Sequence, residues 1–176
     1  MVLLEFRELV QTVDDEGNVT ETWVPAKATI DGVEKIFTSA YFKDNTYVDY
    51  DPINKAIIHF ENTEEGAQIF QQITSRLAPK AGEAHGQPLA IFEGSGEDAV
   101  PLTDAAGEMY RPTVDGVISD EGVIEGLDLK DAQELSKQLN AGRLPVPLML
   151  IGEKTVDPSL GSDFIKSSVT AGLIGI

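Results

Sequence analysis

The 176-residue chain has no cysteine, only two histidines, and 13 Lys and Arg against 30 Asp and Glu. Each shortage excludes something. Without cysteine there are no disulfides, thiol nucleophiles or cysteine-held metals, although this says nothing firm about compartment. The two histidines, His59 and His85, stand far apart in sequence. A histidine catalyst would need a nucleophile and an orienting acid, and no motif supplies them. A formal charge of −17 repels phosphate backbones and anionic lipid headgroups, which argues against nucleic acid as a partner. No apolar run reaches the roughly 20 residues that span a bilayer. The opening Met1-Val2-Leu3-Leu4-Glu5-Phe6-Arg7 lacks the basic start and small-residue cleavage site of a signal peptide.

What remains reads as a soluble, globular unit with a real core: 41% hydrophobic and 24% charged residues. Residues 3–13 alternate, with Leu4, Phe6 and Val10 on one side. Asp14-Asp15-Glu16-Gly17-Asn18 then turns the chain, and residues 19–24 alternate again, which predicts a hairpin. Asp31-Gly32 marks another turn. A second hairpin is expected over residues 46–60, turning at Asp51-Pro52-Ile53-Asn54. A helix follows, with Asn62 as the expected N-cap and Glu65 as its capping-box partner. Its apolar face holds Ala67, Phe70, Ile73 and Leu77, and it stops near Pro79.

Residues 87–92 read as a buried strand. Residues 93–109 lose all periodicity and read as a mobile acidic loop. Weak strands are expected near Val117-Ile118 and Val123-Ile124. The second helix is capped by Asp128, carries Asp131 at N3, and presents Ala132, Leu135 and Leu139. Asn140-Ala141-Gly142 ends it. The fold class expected is α+β: a largely antiparallel sheet with two main helices packed on one face.

Candidate sites have plain structural explanations. His59 reads as a solvated or hydrogen-bonded strand histidine. Asp14, Asp15 and Glu16 lack the alternating ligands and closing Glu of a calcium loop, so a charged turn is preferred. Glu64-Glu65 suits a helix start. Gly94-Ser95-Gly96-Glu97 lacks the Lys and Ser or Thr of a phosphate loop. No catalytic, cofactor-binding or metal-binding residue is expected, and no cofactor.

The last third carries a resemblance. Leu139-Asn140-Ala141-Gly142-Arg143-Leu144-Pro145-Val146-Pro147-Leu148 resembles the LNAGxLPVPL segment of bacterial SecD, a membrane subunit that assists protein export. Thr155-Val156-Asp157-Pro158-Ser159-Leu160-Gly161 resembles its TVGPSLG segment, with Asp157 in place of the usual Gly. Residues 167–175 resemble the entry into the next membrane helix. Upstream and in the same order, Leu4-Glu5-Phe6-Arg7-Glu8 resembles the family's LEFRE segment. Gly66-Ala67, Phe70 and Ile73-Thr74 follow its GAxxFxxIT helix, and Leu89-Ala90-Ile91-Phe92 its LAIF strand. Pro112-Thr113-Val114, Gly122, Ile124 and Gly126 resemble its PxV…GxxxIxG stretch. The family usually has a short link after LAIF, where this chain has residues 93–109. The paralogous SecF fits less well, leaving a separate SecD and a fused SecD–SecF chain both open.

The resemblance implies a division of the chain. Residues 1–145 would be a head-like part of the first periplasmic domain, residues 146–161 a return strand and joint toward the base, and residues 162–176 the start of a transmembrane helix that continues beyond the chain. It implies a domain on the extracytoplasmic side of the cell membrane, partnered by SecF, the SecYEG channel and unfolded exported precursor proteins. Proton-motive force would drive the head against the base. Gly142, Leu144, Pro145, Pro147, Pro158 and Gly161 are the candidate hinge, because prolines stiffen the path out of the second helix. Binding unfolded chain would require an apolar groove or an exposed sheet edge. The alternatives are a purely structural spacer of a membrane transporter, or a soluble carboxylate-dependent hydrolase.

Overall fold

In a computed structural model, residues 2–141 are described. The elements run β1 (Leu4–Val13), β2 (Val19–Pro25), β3 (Lys27–Ile30), β4 (Val33–Ile36), β5 (Tyr47–Tyr50), β6 (Ala56–Glu61), α1 (Glu64–Leu77), β7 (Leu89–Glu93), β8 (Val100–Pro101), β9 (Glu121–Ile124) and α2 (Leu129–Asn140). This is the antiparallel α+β architecture expected. Its strands form three ladders, ordered β2-β1-β7-β8, β3-β4 and β5-β6-β9. Every pairing among them is antiparallel.

The core is phenylalanine-rich because strands and a helix deliver their rings to one place. Phe37 and Phe70 stack with centroids 4.6 Å apart, and Phe42 and Phe60 at 4.1 Å. Phe6 sits among all four. Aromatic pairs of this kind add about 0.5–1.5 kcal/mol beyond area burial. Helix α1 covers the cluster with Ile69, Phe70, Ile73 and Leu77, all buried. Helix α2 packs Ala132, Leu135 and Ser136 against β5 and β6.

The turns share one chemistry. In Asp14–Asn18, Asp51–Lys55 and Asp104–Glu108, the Asp N–H donates to the carbonyl four residues on. In each, the Asp carboxylate accepts from the N–H groups two and four residues ahead. The fourth residue takes positive φ: Gly17 at 84°, Asn54 at 64° and Gly107 at 82°. Gly and Asn reach that region with least steric penalty, which is why these turns are written Asp-x-x-Gly or Asp-x-x-Asn.

Three expectations need correction. Residues 117–118, expected as a weak strand, lie in none, and β9 starts at Glu121. Helix α1 is capped by Thr63, whose Oγ1 accepts from Gly66 N at 3.2 Å. Asn62 is diverted elsewhere: its N–H donates to Asp120 O at 2.7 Å and its amide to Ser119 O at 2.6 Å. Residues 93–109, expected as a mobile loop, instead extend the first sheet. Strand β8 pairs with β7, Leu102 N donates to Ile91 O at 2.8 Å, and Tyr110 N donates to Leu102 O at 2.7 Å. Backbone bonds to the preceding strand β7 hold this segment, and they leave no trace in hydrophobic period.

Candidate functional site: sheet edges and an acidic arm

The motif residues are structural, and they meet one another. The segment Leu4–Glu8 lies in register with β7, pairing Glu5 with Phe92, Phe6 with Ile91 and Arg7 with Ala90. Leu4 and Phe6 enter the core, so Glu5 and Arg7 fall on the opposite face. Glu5 is only 2% exposed there. The Arg7 Nε and Nη2 groups each stand 2.7 Å from Glu5 Oε1. Arg7 also donates to Gly96 O at 2.5 Å and lies 4.3 Å over the Phe92 ring. The 95–98 turn thus covers a small second cluster.

In α1, Gly66 lets the helix start against Tyr41: a Cβ there would lie 2.7 Å from Tyr41 Cβ. Thr74 is fully buried. Its Oγ1 accepts from Ile118 N at 2.9 Å and lies 2.8 Å from the carbonyls of Phe70 and Ile118. Gly122 opposes Phe60 in register, and the Phe60 ring occupies the space a side chain would need.

None of the residues weighed as chemical sites gathers a reactive set. His59 stacks flat on Tyr47, with centroids 4.9 Å apart. His85 is exposed and contacts Asp115 at 3.3 Å. Asp14 is committed to its turn: bonds from the Asn18 side chain and backbone hold its carboxyl below the usual carboxylate range. Glu65 pairs with Lys35. Among the described residues, no three His, Asp or Glu side chains converge as a metal site. The open depression beside α1 is lined by Gln71, Gln72, Ser75 and Arg76, and the side chains of Gln72, Ser75 and Arg76 are engaged with neighbouring groups. The candidate hinge residues Gly142, Leu144, Pro145, Pro147, Pro158 and Gly161 lie outside the described residues.

Sequence reading missed how the sheet edges are treated. At β3, Thr29 N donates to Gln72 Oε1 at 3.3 Å, and Gln72 Nε2 donates to Thr29 O at 3.1 Å. Beside β5, Thr46 N donates to Asn140 Oδ1 at 3.0 Å, and Asn140 Nδ2 donates to Thr46 O at 2.7 Å. Each helix thus offers a carboxamide that imitates a neighbouring strand. Both amides sit at helical positions where periodicity records only a polar residue. Strand β8 is two residues long and contains Pro101. Strand β2, the longest at an edge, has no such cover among the described residues. With the outer half of β1 it forms an arm whose residues 11–24 carry Asp14, Asp15, Glu16 and Glu21 and no Lys or Arg. Val13 and Val19 are well exposed on it.

Among the described residues, no helix is long and apolar enough to cross a membrane. Residues 22–146 match the family model described as SecDF, P1 head subdomain. The chain is 47% identical, over 99% of its own length, to the protein translocase subunit SecD of Dehalococcoides mccartyi, and spans 37% of that protein. It is 32% identical to SecD of Dictyoglomus turgidum over 80% of this chain and 31% of the relative. Two SecDF structures share its fold. One, in a super-membrane-facing form, aligns with a TM-score of 0.50 at 22% identity, over 83% of this chain and 20% of that one. The other, described as a membrane component that enhances protein export, aligns with a TM-score of 0.50 at 20% identity, over 88% of this chain and 69% of that one. The chain belongs to the SecD family of protein translocase subunits and carries the SecDF P1 head subdomain.

Proposed function

We propose that this chain is the extracytoplasmic head of a Sec translocase accessory subunit. It assists export driven by proton-motive force by holding precursor chains transiently as they emerge. Its partners are SecF, the SecYEG channel and unfolded exported proteins. Its work is binding and movement, without an active site of its own. The observation that carries this reading is the similarity to SecD along 99% of the chain. The family motif residues have packing and hydrogen-bonding duties within the fold, which supports a reading in which the surface does the binding.

The division into a head at residues 1–145, a return strand and joint at residues 146–161 and the start of a membrane helix at residues 162–176 belongs to this proposal, as does the hinge. The test is site-specific photocrosslinking in cells, with the probe placed at surface positions of this chain within its full-length parent. Crosslinks to a precursor stalled during export are expected from part of this surface. Crosslinks to Sec subunits alone would make the chain a structural spacer.

A further inference from the structure

We propose that the outer edge of β2 is a strand-addition site for an extended, net-basic stretch of polypeptide. This rests on the reading of the chain as a precursor binder and gives that reading a location.

The ladder fixes which backbone groups are free. Asp14 N donates to Asn18 O at 3.0 Å, and Ala26 N donates to Phe6 O at 2.7 Å. Between these points the register runs unbroken from Val13 opposite Val19 to Arg7 opposite Pro25. Backbone groups alternate between the two edges of a strand, so the even-numbered residues Thr20, Thr22 and Val24 point at β1. Val19, Glu21 and Trp23 therefore present N–H and C=O outward, and no partner meets them among the described residues. A row of this kind is a template for another strand.

Charge selects the occupant. The arm holds four carboxylates and no cation, so a second copy of this chain would bring like charge against like. A basic segment would be attracted. Val19, Glu21 and Trp23 also share one face, so an added strand with alternating side chains finds apolar contacts on either side of a carboxylate. β3 shows the contrast: Gln72 meets the backbone of Thr29 and Arg76 the carbonyl of Lys27, whereas Val19, Glu21 and Trp23 on β2 meet no partner among the described residues.

Trp23 is the sole tryptophan, which makes it a built-in reporter. The experiment titrates this chain with a seven-residue peptide of alternating Lys and Val. A saturable change in Trp23 emission is expected, with slowed amide exchange at Val19, Glu21 and Trp23. The same peptide N-methylated at alternate residues, on the edge that faces β2, loses its donors and should bind at least about tenfold more weakly. Glu21→Pro removes an outward N–H at an edge position where proline is tolerated, and should weaken binding similarly. Glu21→Gln keeps the edge and should cost only a few-fold, about the scale of one exposed charge. Equal binding by the methylated peptide, or by a Glu21→Pro protein that melts like the parent, overturns the proposal. So does binding with protection away from β2, which leaves the precursor-binding reading intact. Absence of peptide binding overturns the site too, and the crosslinking experiment then decides separately whether precursor is held at all.

Discussion

Gln72 on α1 and Thr29 on β3 meet as two strands would, the side-chain amide accepting at 3.3 Å and donating at 3.1 Å to the same residue's backbone. Removing the amide uncovers the edge. Gln72→Ala should cost about 1 kcal/mol, the net worth of such hydrogen bonds at a solvated site. Amide exchange at Thr29 should accelerate while the core amides stay protected. Unchanged exchange would mean that the amide does not cover this edge.

Arg7 and Glu5 form the most buried ion pair among the described residues, with side chains 12% and 3% exposed. Arg7→Met leaves the Glu5 carboxylate without its cation, and breaking such a pair costs about 3–5 kcal/mol. The pair replaced together, Glu5→Gln with Arg7→Met, should recover much of that loss. Urea unfolding of the two singles and the double would measure the coupling. Additive losses would rule out a coupled pair.

Gly122 lies beneath the Phe60 ring, and an added Cβ would collide with Phe60 Cζ. Gly122→Ala therefore overpacks the β6–β9 ladder and should destabilise by about 1–3 kcal/mol. Phe60→Leu in the same chain should relieve part of the clash. Thermal melts of both variants check this, and an unaffected Gly122→Ala protein would show that the ring moves freely.

Burial pushes the Tyr110 hydroxyl up to about 12, from an ordinary value near 10. The folded state therefore keeps its proton where the unfolded chain has lost it. The resulting stability is fully present below about pH 10 and falls away as pH rises toward about 12, by roughly 2–3 kcal/mol. Tyr110 also accepts from Glu125 N at 2.8 Å. Tyr110→Phe should flatten the alkaline loss seen in denaturant melts, and an identical alkaline profile would assign that loss to other groups.

Pro145 and Pro147 belong to the proposed hinge. Changing both to Ala should leave melting of this chain nearly unchanged, because the helices and ladders described above keep all their residues. In the full-length protein the same change should loosen the head–base angle and lower export. Normal export with both substitutions would remove the hinge role, and unfolding of the chain would make them packing residues.

Local spacing was enough to determine the hairpins at Asp14 and Asp51, the two helices and the Asp128 cap. Each depends on residues within one turn or one pleat of each other. The family was legible because a set of short segments stood in the right order. The third turn, an Asp-x-x-Gly at Asp104, carries the spacing already seen at Asp14, yet the acidic composition around it suggested a loose loop. What only the tertiary structure decided involves partners far apart in sequence. Leu4–Glu8 pairs with β7 across more than eighty residues. Asn62 yields the cap to Thr63 because Ser119 and Asp120 claim it, and Gln72 and Asn140 meet the backbones of Thr29 and Thr46, which no periodicity marks. Period and composition report which face of an element is apolar. They do not report register, and register decides which backbone groups find partners and which, as on β2, are left facing outward.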